Sequence, residues 1–126
     1  MAEKILIPLF GEDVAPRFDL ATEVLIITGN QPELASDEKI IVLPQASAEQ
    51  LCHLILTEAI KTVICGGIEE EYYRYLVWKK IQVLDSIIGP WQKALARFQQ
   101  KNLQPGDIVY HFEEPTDETK INRQMD

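Results

Sequence analysis

Thr62-Val63-Ile64-Cys65-Gly66-Gly67 is the stretch whose reading decides the fold. Three β-favouring residues run into a thiol and then a glycine pair. That pattern is expected where a buried parallel strand ends and turns toward a helix, here one predicted from Ile68 to Trp78. In open α/β sheets ligands collect outside the carboxyl ends of the strands, so Cys65, Gly66 and Gly67 stand where a site would be built.

Downstream, Lys80 to Asp85 reads as a short fifth strand. Gly89-Pro90 then opens a helix that carries Trp91, Ala94, Leu95 and Phe98 on one face. Strand, helix, strand, helix is the parallel half of an α/β domain. Ile108 to Phe112 is a candidate late strand, and 113–126 is expected to be a disordered acidic tail after a single domain over 1–112.

Upstream, Lys4-Ile5-Leu6-Ile7-Pro8-Leu9-Phe10 is continuously apolar, as a strand covered on both faces would be. Pro8 cannot donate to a ladder and belongs at the strand's end or at an unpaired position. A turn at Gly11-Glu12-Asp13 and a loop from Val14 to Ala21 lead to a second strand, Glu23 to Thr28. A turn over 29–32 separates it from the third, Lys39 to Leu43. These connections are too short for crossover helices, so the three strands are expected to be antiparallel neighbours. Ser47 caps the next helix, with Gln50 at capping-box spacing and Ala48, Leu51, Cys52, Ile55 and Ala59 forming its apolar stripe.

The sequence carries a formal charge of -8, which argues against a nucleic-acid partner, because that affinity comes largely from Lys and Arg neutralising phosphates. No apolar run approaches the length of a membrane span, and the start lacks the pattern of a secretory signal, so a soluble cytoplasmic chain is expected. Cys52 and Cys65 match no paired-ligand spacing and are expected to be reduced.

Arg17 lies in the loop after the first strand, where a guanidinium could clamp an anionic group or pair with Asp13 or Asp19. Phe18 is expected as a core plug, and His53 and His111 have no companion ligands. Glu69, Glu70 and Glu71 suit the positive end of a helix dipole but make a poor anion cradle, and no phosphate-binding glycine motif is present. The apolar first strand lacks the carboxylates that a metal-dependent nuclease needs. Cys65 has no nameable base, so no catalytic residue is assigned.

Lys4-Ile5-x-Ile7-Pro8, Ala15-Pro16-Arg17-Phe18-x-x-Ala21 and Val63-Ile64-Cys65-Gly66-Gly67-Ile68, followed by Ile81-Gln82-Val83, resemble the dinitrogenase iron-molybdenum cofactor biosynthesis family, that of NifX, NafY and the carboxyl-terminal domain of NifB. Lys80 stands where a glycine is usual. The resemblance implies a ribonuclease H-like α/β fold: a mixed five-stranded sheet, three antiparallel strands then βαβα, with helices on its faces. It also implies a non-enzymatic carrier of an iron-sulfur or molybdenum-iron-sulfur cluster, passed between donor and acceptor proteins. On that reading Cys65 is the metal ligand, the amides of Gly66 and Gly67 donate to sulfides, and Arg17 offsets the cluster's charge. The alternative is a member without cargo that acts as a protein-interaction or regulatory module through its acidic surface and tyrosine-rich helix.

Overall fold

The computed structural model describes residues 3–29 and 37–109. Six strands, β1 (Glu3–Phe10), β2 (Asp13–Val14), β3 (Glu23–Gly29), β4 (Asp37–Val42), β5 (Thr62–Ile64) and β6 (Gln82–Leu84), form a mixed sheet in the order β4-β3-β1-β5-β6, with β2 added to β1. β1, β3 and β4 are antiparallel neighbours, while β5 and β6 run parallel to β1. The sixth strand is β2, which lies partly in the expected turn and partly in the expected loop. A two-residue bridge of that kind carries no periodicity to read.

The alternation of β1 explains why its whole run is apolar. Ile5, Ile7 and Leu9 join Leu25, Ile27, Ile64 and Leu84 in one core. Leu6 joins Val24, Ile26, Val63 and Val83 in the other. Helices α1 (Ala48–Thr57) and α2 (Glu70–Trp78) cover the second face, and α3 (Trp91–Gln99) covers the first. Pro8 pairs in register with Val24, yet its nitrogen lies on the side of β1 where the pairing with β5 has ended at Leu6. The missing N–H therefore costs no ladder bond.

Ser47 Oγ accepts a hydrogen bond from the Gln50 amide at 3.1 Å, capping α1 as its sequence predicts. Ala59 is a correction: it lies beyond the helix and is exposed rather than on the buried stripe. Each helix closes in a Schellman motif, with amide-to-carbonyl bonds from Ile60 to Ile55, Ile81 to Leu76 and Asn102 to Arg97, each 3.0 Å. The residue that must turn left-handed is Ala59 (φ 58°), Lys80 (φ 70°) or Lys101 (φ 63°), never glycine. The usual stop signal is thus missing from all three.

The late strand reduces to a single parallel bridge between Ile88 and Ile108, with Val109 buried beside it. Tyr110 to Phe112, and the tail over 113–126, lie outside the described residues, as does most of the turn over 29–32.

Candidate functional site

Loop 14–20 and the segment Cys65-Gly66-Gly67 meet at the carboxyl ends of β1 and β5. Arg17 and Gly67 form a parallel bridge, in which the Gly67 amide donates to the Pro16 carbonyl at 2.7 Å and the Phe18 amide donates to the Gly67 carbonyl at 2.8 Å. On the other side the amides of Ser86 and Ile87 donate to the carbonyls of Gly66 (2.9 Å) and Cys65 (3.0 Å). The segment is thus sewn to loop 14–20 on one side and to the turn after β6 on the other.

The glycines serve that seam. A Cβ on Gly66 would stand 2.3 Å from the Ala15 carbonyl oxygen and 2.6 Å from that of Pro16. Residue 66 is therefore glycine because two backbones touch there. The Gly67 amide, expected to donate to a sulfide, is taken by Pro16.

Cys65 requires the larger correction. A metal ligand must be within reach of its cargo, but the residue is 0 % exposed and packs in the core that holds Phe18, Leu51 and Leu76. Burial, and secondarily the nearby charge of Asp85, pushes its thiol well above its ordinary value, so the nucleophilic and ligating thiolate is disfavoured. Loop 14–20 contributes Phe18 to the same core, the buried plug its sequence predicts. Cys52 is likewise core, its thiol pushed up to about 11 by burial and by Glu49.

Arg17 has its side chain 57 % exposed and forks onto Asp19, Nε to Oδ1 at 3.1 Å and Nη2 to Oδ2 at 2.7 Å. These bonds hold the Asp19 carboxyl below its usual value. The Nε–Nη2 edge of the guanidinium is therefore occupied by its own loop. His53 is exposed, and Tyr72 leans on Phe18 with ring centroids 6.5 Å apart.

The sequence does not reveal Ser86, which adopts φ 61° while its hydroxyl bonds Asp85 at 3.1 Å. Its left-handed backbone is the strained point of the seam, and serine gives no signal for it. A groove of about 510 Å³ lies at the opposite, amino end of the parallel strands, lined by Glu3, Lys61, Lys79, Lys80 and apolar residues. Of its lysines, Lys79 lies over the rings of Tyr75 and Trp78, its ammonium 5.7 and 4.9 Å from their centroids. Among the described residues no group of three His, Cys, Asp or Glu side chains is placed to hold a metal ion, and no helix is long and apolar enough to cross a membrane.

No protein-family model and no curated protein matches the sequence. Solved structures do. A protein designated PH0822 superposes with a TM-score of 0.72 at 17 % identity, over 81 % of this chain and 93 % of the other. A Methanocaldococcus jannaschii protein provisionally named a dinitrogenase gives 0.65 at 21 % identity, over 82 % and 94 %. A Thermotoga protein provisionally named NifB, of the DUF35 family, gives 0.64 at 15 % identity, over 85 % and 97 %. The chain shares their fold. At these identities the likeness extends to architecture and no further.

Proposed function

We propose that this chain is a non-catalytic, protein-binding member of the NifX-like group, with a ribonuclease H-like fold and a role connected to nitrogenase-type cofactors, and that it works without a cluster held on Cys65. Three antiparallel strands joined to a parallel βαβα half support the fold assignment, and two neighbours named for dinitrogenase and NifB support the connection.

One observation carries the choice between carrier and interaction module: Cys65 is fully buried, in the core that holds Phe18, Leu51 and Leu76. A cluster ligand must be a thiolate within reach of the metal. Here the thiol is held protonated, the Gly67 amide is bonded to Pro16, and Arg17 is bonded to Asp19. The carrier reading needs all three freed together. The interaction reading needs only the exposed surface, which includes Tyr73, Tyr75, Val77 and Trp78 along α2.

Anaerobic incubation with tetrathiomolybdate, then desalting and a visible spectrum, tests the choice. Wild type and Cys65→Ala are expected to retain equally little colour. Stoichiometric retention by wild type that is lost in Cys65→Ala would restore the carrier role.

A further inference from the structure

The geometry points to the free edge of β4 as a docking site for an extended segment of another protein, added antiparallel to the sheet, that carries β-branched apolar residues followed by two basic ones. It rests on the protein-interaction reading above and gives that reading a surface and a class of partner.

The backbone argument comes from register. β4 is the terminal strand of the sheet, paired to β3 from Glu23↔Val42 to Thr28↔Asp37. The Leu43 amide donates to the Thr22 carbonyl at 2.7 Å. Since antiparallel pairs alternate, Lys39 and Ile41 also turn their backbone groups toward β3, while Glu38, Ile40 and Val42 turn theirs outward. Among the described residues no strand lies on that side.

The side chains of the same three residues point to the α3 side of the sheet, and α3 does not reach them. Ile40 is 60 % exposed and Val42 67 %, whereas Ile41, one residue between, packs against the opposite core. Exposed edges are usually blunted by an inward-pointing charge, a proline or a bulge. Here the carboxyl half of the edge, beyond Asp37, Glu38 and Lys39, turns two bare β-branched residues to one face, which suits strand addition: main-chain bonds give affinity, and alternate side chains give specificity.

Charge selects the occupant. The charged side chains that β3 and β4 place on this face, Glu23 and Glu38, are both negative, and Asp37 adds a third carboxylate at the amino end of β4. Lys39 faces the other way, its ammonium 3.5 Å from Glu58. A second copy paired antiparallel about Ile40 would set the Glu38 carboxylate of each chain against the apolar Val42 of the other, on a molecule already at -8. An antiparallel strand with apolar residues opposite Val42 and Ile40 and basic ones opposite Glu38 and Asp37 satisfies both the apolar and the charged half of the edge.

The probe is the capped peptide Val-Thr-Ile-Thr-Lys-Lys, with Val-Thr-Ile-Thr-Glu-Glu as its control, titrated into the full chain at low salt and followed by amide NMR and hydrogen exchange. The Lys peptide is expected to shift and protect the amides of Glu38, Ile40 and Val42, and to bind about tenfold tighter than the control, the size expected for two reversed cross-strand charge pairs. Ile40→Pro removes an outward N–H without touching the β3 ladder and should abolish binding. Glu38→Lys, which leaves Asp37 as the one favourable partner, should remove most of the preference between the peptides. Equal affinity for both peptides, no response at the three amides, amides already protected in the free chain, or self-association through this edge would each overturn the proposal. If the peptides fail while the tetrathiomolybdate experiment gives its expected result, the edge is wrong and the interaction reading stands.

Discussion

The Cα of Gly66 lies so close to the Ala15 carbonyl that an added methyl would sit 2.3 Å from its oxygen, while the same addition at Gly67 would meet only the Pro16 oxygen at 3.3 Å. Two adjacent glycines with one appearance in sequence thus have different tolerances. Gly66→Ala should destabilise by about 3 kcal/mol, the upper end of ordinary overpacking, because a backbone carbonyl cannot swing aside. Gly67→Ala should cost about 1 kcal/mol, since a shift of a few tenths of an ångström relieves it. Guanidinium denaturation measures both; equal midpoints would mean that loop 14–20 is not seated on residue 66.

Both cysteines are core, with thiols raised above the ordinary 9.0. Above that pH the unfolded chain releases protons that the folded chain keeps, so stability is whole below about pH 9 and declines as pH rises, by up to about 1.4 kcal/mol per pH unit per thiol. Cys65→Val should flatten part of that decline. In native protein at pH 8 neither thiol should react with iodoacetamide on the timescale on which urea-unfolded protein reacts fully. Rapid alkylation of native Cys65 would show the core around it to be open.

The architecture was legible because it is written in periodicity. The unbroken apolar run of β1 announces cover on both faces, and short connections announce antiparallel neighbours. The candidate site was legible only as a meeting of backbones. Sequence order brings Arg17 and Cys65 to one end of the sheet, but whether the sulfur faces solvent depends on where Phe18 docks, a tertiary contact that neither segment encodes alone. The glycine pair misleads for a related reason: open space for a ligand and close approach of another chain both demand a missing Cβ. The end of α1 was misjudged because Ala59 occupies a left-handed position that favours glycine, as Lys80 does after α2, whose end at Trp78 is as predicted.

Those positions make a stability prediction. Lys80 is held at φ 70°, a conformation that costs a non-glycine residue about 1 kcal/mol. Lys80→Gly should therefore raise stability by about 0.5–1 kcal/mol, less the gain in unfolded-chain entropy. Ala59→Gly should do the same in α1. Thermal melts at neutral pH check both, and a lower melting temperature for Lys80→Gly would mean that the lysine side chain contributes more than its backbone costs.

Glu58 ties three elements together: its carboxylate lies 3.2 Å from Lys4 of β1 and 3.5 Å from Lys39 of β4, while its own backbone caps α1. The hydrogen bond from Lys4, then the charge of Lys39, lower its carboxyl from the ordinary 4.5. A lowered carboxyl stabilises the fold above its unfolded value, and that contribution is lost as pH falls through the folded one. Glu58→Gln should therefore lower the melting temperature at pH 7, and the difference from wild type should shrink as pH falls through the lowered value of the Glu58 carboxyl. Because both partners reach solvent, salt should shrink the difference at pH 7. A difference that does not shrink on acidification would assign Glu58 a packing role rather than an electrostatic one.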